Sequence, residues 1–356
     1  MSAVERPREA RGLYLSFPPS LALSLRSSSA DLYAEAVLRE AERRAADGGE
    51  GGAFVAWMAG GEPWRLGDRS LSSLFRELAR FFPPAPRVER SIEWFVGEAV
   101  PERLVPLHES GFDRICLTGK TRAVGYRPVG DAAGLREAVR AARAAGFRRV
   151  ALDMDPAGGA AGSIGPAVAA AAGPDHVSLV ETPDESFPEE RWIADYEKSL
   201  RILEGAGLLR YEVALFAKPG CRSVGLGLIA AGGSRVGLGA GAVSAGAREI
   251  TRNEPDPDRY ARIVGEGGDP VVLRDPRKEE DRLRERVFHG VRRIGGIHVG
   301  ALERRFGAMR TRDLERRALP LFRAGLLRRA GSRLVPTDAG LLTAEGVARE
   351  LLGEGV

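Results

Sequence analysis

The sequence predicts an α/β protein: a partial (β/α)6, TIM-like barrel followed by a smaller, basic, winged-helix-like module. Three observations predict it. Short apolar runs of strand length alternate with amphipathic stretches of helix length over most of the chain. A segment dominated by Gly, Ala and Ser, Gly225–Gly246, then breaks the alternation. Finally, Arg277–Leu334 holds 17 basic and 7 acidic residues, a net of +10, in a chain whose total is +4, so a body of net −6 carries a basic C-terminal module. At roughly 150 residues per domain, 356 residues accommodate two. The division expected is a barrel over 1–250, a connecting loop over 251–277 and the module over 278–356.

In chain order, Gly12–Phe17 reads as a strand and Leu32–Ala46 as a helix. Ala53–Met58 is a strand, and Ser70–Phe81 a helix with Ser70 as its N-cap. Ser91–Val96 is a strand, Glu102–Ser110 a helix stopped by Gly111, and Arg114–Thr118 a strand. Asp131–Ala145, Ile164–Ala172 and Glu189–Ala206 read as helices, separated by strands at Arg149–Met154 and His176–Glu181; Arg210–Phe216 follows as a strand. Buried strands joined by helices imply right-handed crossovers and a parallel sheet, whose strand C-termini form the active face. In the module, Lys278–Ile294, His298–Phe306, Arg312–Ala324 and Thr337–Leu352 read as helices, and Gly325–Val335 as a two-stranded wing.

Composition narrows the function. An apolar fraction of 44% and a charged fraction of 29% are those of a globular protein and exclude a collagen, a coiled coil or a wholly disordered chain. No apolar run is long enough to span a bilayer, and Met1–Gly12 lacks the apolar stretch of a secretory leader. Two cysteines, Cys116 and Cys221, make neither a disulfide framework nor a four-thiolate metal site, so a reducing cytoplasm is expected. All but four of the 53 basic residues are arginine, which with abundant Ala and Gly reads as a coding bias rather than selection for nucleic-acid contacts. None of the four histidines, His108, His176, His289 and His298, forms a zinc-binding pair.

Several segments, taken in order, resemble the radical S-adenosylmethionine (SAM) family of oxygen-independent coproporphyrinogen III oxidase, in its HemW-like heme-chaperone branch. That family opens with LYIHIPFC followed by two further cysteines, spaced C-x3-C-x2-C, which hold a [4Fe–4S] cluster. Here the segment is LYLSFPPSLALSLRSS, and aligning Leu13, Tyr14 and Pro18 places Ser20, Ser24 and Ser27 at the cysteine positions. A serine hydroxyl is a hard, weakly acidic ligand that does not replace a thiolate on a soft cluster. The resemblance therefore implies a degenerate member with no cluster and no SAM cleavage. The family's GGGTP is similar to Ala59-Gly60-Gly61-Glu62-Pro63, where glycines let a backbone approach a ligand and offer N–H donors. Glu93 matches the glutamate that ends the family's third strand, with Phe95 and Val96 in place of Asn-Pro. RxSxGxQS resembles Arg114–Thr121, with the ligand-contacting Gln become Lys120; Arg127 and Asp153 fall at a SAM-contacting Arg and at the Asp of DLxxGLP.

The strongest match is Tyr211–Gly220, YEVALFAKPG, which resembles the family's YEISNFAKPG. The His-Asn-Leu and Tyr-Trp that follow in the family are absent from CRSVGLGLIAAGG, while GLGPGAHS survives as Gly237–Ser244 with Val243 for His. The C-terminal stretch from Leu321 to Leu342 resembles the family's GLL…LTxxG-LL ending, with Thr337 capping the last helix. These matches imply a fold kept while its chemistry is lost. The resulting candidates are a residual SAM-like pocket of Gly60, Gly61, Glu93, Lys120, Arg127 and Asp153, converging at the strand C-termini. Cys221, His289 and His298 are candidate heme ligands, and Trp57, Trp94 and Phe95 candidate apolar walls for a macrocycle. SAM itself is a doubtful ligand, no catalytic residue or metal is assigned, and a tetrapyrrole or a protein partner is expected. Two other functions stay open: an active coproporphyrinogen oxidase-like enzyme, and a nucleic-acid-binding regulator using the basic module, disfavoured because its arginines lack interleaved aromatics.

Overall fold

Alternation along each strand decides which face meets the helices. In β1 (Arg11–Phe17), Leu13, Leu15 and Phe17 are buried under the helical layer while Tyr14 and Ser16 point the other way. The computed structural model describes residues 10–18, 27–46, 53–119, 132–154, 164–180 and 189–353, the side chains of residues 27–30, 68, 69, 132 and 189 excepted. After β1 come α1 (Ser27–Ala46), β2 (Phe54–Gly61), α2 (Asp68–Phe81), β3 (Pro84–Phe95), α3 (Pro101–Glu109) and β4 (Arg114–Thr118). Next are α4 (Ala132–Ala144), β5 (Arg149–Met154), α5 (Pro166–Ala172), β6 (His176–Leu179) and α6 (Glu189–Gly205).

Strands β1 to β6 lie side by side in sequence order, every neighbouring pair parallel. This is the partial (β/α)6 barrel that the alternation predicts. Its outer face and its helices share one apolar core, in which Trp57 and Trp94 are fully buried. Each such side chain contributes about 1.5–3 kcal/mol by leaving water.

Both edges of the sheet depart from expectation. Arg210–Phe216, read as one strand, is a hairpin of β7 (Leu209–Glu212) and β8 (Leu215–Ala217), with β8 antiparallel to β6. The break has two causes, one local and one distant in sequence. The Glu212 carboxylate accepts from the Ala214 N–H at 2.7 Å, and the Val213 N–H turns away to donate to the Arg292 carbonyl at 2.9 Å. At the other edge, α7 (Val224–Ala230) leads to β9 (Ser234–Leu238), which pairs parallel with β1. The sheet then continues antiparallel through β10 (Val243–Ala245), β11 (Glu249–Asn253) and, after α8 (Pro257–Gly265), β12 (Val271–Pro276). The stretch 251–277, expected to be a connecting loop, is therefore strand, helix and strand added to the barrel's own sheet. Ser70 is not the cap of α2: Gly67 occupies that position, and the Ser70 hydroxyl donates to Asp31 at 2.8 Å instead.

The C-terminal module comprises α9 (Glu279–Val291), β13 (Ile297–His298), α10 (Val299–Phe306), α11 (Ala308–Arg323), β14 (Leu327–Ala330) and β15 (Arg333–Pro336). Two short helices, α12 (Asp338–Leu342) and α13 (Ala344–Leu352), end it. The wing appears as predicted, β14 pairing antiparallel with β15, and β13 adds a third strand. Thr337 caps α12 through a bond from the Gly340 N–H, as expected. The module has its own apolar core, built on Val287, Val291, Leu334 and Val347. It docks on β7, where Arg292 donates to Glu212 at 2.7 Å and Ile294 pairs with the Tyr211 carbonyl. The Tyr-Glu of the strongest sequence match is thus the seam between barrel and module. Among the described residues, no helix is long and apolar enough to cross a membrane.

Candidate functional site

The inner face of the barrel is polar where the outer face is apolar. At the C-terminal ends of β2 and β3, the Gly61 N–H donates to Glu93 Oε2 at 2.7 Å. Gly61 sits at φ +93°, and a Cβ there would collide with the Phe17 carbonyl, so only glycine fits. A Cβ on Gly60 would come within 2.6 Å of the Tyr14 hydroxyl, so this glycine makes room for a side chain from the neighbouring strand. On β4 and β5, the Cys116 thiol donates to Asp153 Oδ1 at 3.2 Å. Four consecutive strands beyond β1 thereby converge on one lumen.

The described ionisable groups that face that lumen perturb one another. Burial, and after it the negative charge of Asp153, pushes Glu93 up to about 7, while the Gly61 N–H opposes the shift. Burial and the same two carboxylates hold the Cys116 thiol well above its ordinary range. Burial and Glu93 raise Tyr14 to about 12, against the pull of Arg235. At neutral pH the site therefore presents a phenol, a thiol and a half-protonated carboxylate beside Asp153. Such a set can donate to and accept from a polar ligand. It holds no activated nucleophile, because the thiol is protonated.

Below this ring the lumen is closed. Glu89 Oε1 accepts from the Ser223 hydroxyl at 3.0 Å and from the Val224 and Gly225 N–H groups at 2.9 and 3.2 Å, at the start of α7. Its other oxygen faces Arg149 at 3.4 Å and Arg114 at 4.0 Å. Arg114 also holds the Cys221 carbonyl at 3.1 Å. The arginine shared with the family motif is thus part of the floor. Beside it, buried His176 meets the Tyr211 hydroxyl at 2.8 Å, and burial drives its pKa well below the usual value.

Of the predicted pocket, Gly60, Gly61, Glu93 and Asp153 come together; Lys120 and Arg127 lie outside the described residues. Glu62, which stands where the family has Thr, is buried and paired with Arg65 at 3.0 Å, so its charge is met locally. Two of the proposed apolar walls are elsewhere: Trp57 and Trp94 point outward into the helical core, Trp57 against Phe75 and Trp94 against Trp64, while Phe95, the last residue of β3, is buried beside Trp64. The candidate heme ligands are dispersed: Cys221 precedes α7, His289 lies on α9 and His298 begins α10. His298 is the N-cap of α10, its Nδ1 accepting from the Ala301 N–H at 3.2 Å.

A three-thiolate [4Fe–4S] cluster does not fit the residues present. Ser20 and Ser24 lie outside the described residues, and Ser27 begins α1 with its side chain undescribed. The chain's two thiols lie on separate elements, and Cys116 is protonated and bound to Asp153. Among the described residues no group of three His, Cys, Asp or Glu is placed to hold a metal ion.

Sequence reasoning missed one centre altogether. Glu40 on α1 is fully buried and accepts from the Gly239 N–H, the Asn253 amide, the Tyr260 hydroxyl and Arg44. Tyr33 completes it, donating to the Ser16 carbonyl and accepting from the Ala240 N–H. This network ties α1, the glycine turn after β9, β11 and α8 together. Gly239, at φ +97° and packed against the Tyr33 hydroxyl, explains why that turn keeps its glycines.

Comparison with known proteins adds the following. Residues 278–343 match the HemN C-terminal domain family. The chain is 30% identical over 331 residues to the heme chaperone HemW of Mycobacterium tuberculosis (strain CDC 1551 / Oshkosh), covering 84% of this chain and 80% of that protein. It is 24% identical over 360 residues to the heme chaperone HemW of Bacillus subtilis (strain 168), covering 93% of each. Among solved structures, Escherichia coli coproporphyrinogen III oxidase (HemN), described as a radical SAM enzyme, superposes with a TM-score of 0.78 over 99% of this chain and 92% of that one, at 17% identity.

Proposed function

The chain belongs to the HemW-like branch of the radical SAM family, and from that membership we propose that it is a cluster-less, non-catalytic member that binds or escorts a tetrapyrrole. The observation that carries the reading is the thiol inventory. Serine occupies all three positions that the resemblance aligns with the cluster cysteines, and Cys116 in the lumen is a protonated thiol donating to Asp153. Without thiolates there is no cluster to reduce SAM, while the barrel, the glycine turns and the docked module that define the fold are intact. The tetrapyrrole is the cargo that the HemW relatives are named for. Free thiols at Cys116 and Cys221 suit a reducing cytoplasm.

The geometry separates the three candidate iron ligands. An imidazole that accepts a backbone N–H through Nδ1 carries its proton on Nε2, so ligation by His298 would cost α10 its cap. His289 is half-buried, and burial lowers its pKa, which leaves a neutral ring. Cys221 offers a free thiol. Hemin added to the purified protein should give a saturable Soret shift in the low-micromolar range, about −8 kcal/mol at 1 μM. Either Cys221→Ala or His289→Ala changes that spectrum, and His298→Ala does not. A linear titration without saturation overturns the tetrapyrrole reading.

A further inference from the structure

A second cleft lies at the opposite end of the barrel, where β1, β2 and β9 begin. It encloses about 620 Å³, within the range of small-molecule sites. We infer that this cleft is a binding site for a small organic anion that carries a flat aromatic ring. The inference does not rest on the tetrapyrrole reading of the chain.

Three independent observations support it. The first is charge. Six arginines line the cleft against two carboxylates, Glu249 and Asp269. Both carboxylates are already shared: Asp269 with Arg43 at 3.1 Å and Arg274 at 2.7 Å, and Glu249 with Arg274 at 3.2 Å. Among the described residues neither Arg235 nor Arg248 has a carboxylate within ion-pair distance. Burial holds Arg235 below the usual guanidinium value; the more distant Glu285 carboxylate opposes that shift and the charge of Arg277 adds to it. Guanidinium forks match the paired oxygens of phosphates and carboxylates.

The second observation is shape. Phe54, Phe81 and Phe82 form one wall, and the Arg11 guanidinium lies 5.0 Å above the Phe54 ring. An aromatic ligand face can stack on such a wall, whereas a bare inorganic anion would leave it unused. The third is an orphaned donor. Thr251 lines the cleft at 4% exposure, and its buried hydroxyl has no hydrogen-bond partner. A buried hydroxyl left unpaired is costly, so a ligand oxygen that met it would be stabilised.

Nucleotides and tetrapyrroles share this chemistry, one through phosphates and the other through propionates. The test therefore titrates the full chain with ADP and with iron-free protoporphyrin IX, by calorimetry at low and high salt. Saturable binding of either is expected, weakened by added salt, and the ligand that binds identifies the source. Arg248→Glu, at an exposed position, should weaken it about tenfold, ~1.4 kcal/mol, without lowering the melting temperature. Thr251→Val should weaken it by a smaller factor. Absence of saturable binding by both probes, or equal affinity in wild type and both variants, overturns the inference. Neither of those results touches the tetrapyrrole reading if hemin still binds the wild-type chain saturably.

Discussion

Two glutamates on the same barrel, Glu40 buried and Glu93 half-buried, have opposite surroundings. Glu40 is enclosed by four donors from α1, the turn after β9, β11 and α8, and both of its oxygens are satisfied. Among the described residues, Glu93 receives one backbone N–H, from Gly61, and faces the charge of Asp153. The first carboxylate is used up by the fold. The second is left poised near neutrality. On the cluster-less reading proposed above, a chain that keeps its scaffold should preserve the first kind of centre for stability. The second kind persists only where a ligand still visits it, or where the barrel tolerates its strain.

The contrast breaks most visibly under mutation of Glu40. Glu40→Ala leaves an arginine, an amide, a hydroxyl and a backbone N–H facing a void, a loss of about 3–5 kcal/mol. The expected result is a large drop in the denaturation midpoint, with Glu40→Gln in between. If Glu40→Ala melts like the wild type, the network is not the staple described here.

A smaller effect sharpens the other half. The folded-state pKa of Glu93, about 7, lies above the ordinary 4.5, so the folded protein binds the proton more tightly than the unfolded chain does. The stabilisation from the protonated form is complete below about pH 4.5 and is lost as pH rises through 7, on the order of 1–3 kcal/mol. Chemical denaturation between pH 5 and 8 should show this decline, and Glu93→Gln should flatten it. An equal slope in both proteins would show that Glu93 does not titrate in this window.

Much of this was legible in the residues, for a physical reason. Buried parallel strands must be apolar and their crossovers amphipathic, so the six-fold alternation appears directly in the sequence. The added edge strands were not legible, because β12 is almost wholly exposed and its residues, VVLRDP, carry no burial pattern. The hairpin at Glu212 depends on Arg292, far along the chain, and so could not be read locally. Parity held information that went unused. Glu93 points into the lumen, so Trp94 beside it must point out into the helices. Cys116, three strands away from the motif it might have served, entered only as one of two thiols. Glu40 was hidden because a helix rich in Glu and Arg looks solvated throughout.

Anaerobic reconstitution tests most directly the proposal that this chain holds no iron–sulfur cluster. The full chain is incubated with iron, sulfide and reductant, desalted, and assayed for bound iron and sulfide and for 5′-deoxyadenosine formed from SAM. The account predicts colourless protein without stoichiometric iron or sulfide, and no 5′-deoxyadenosine. Recovery of the four irons of a [4Fe–4S] cluster per chain, with SAM cleavage, would contradict it.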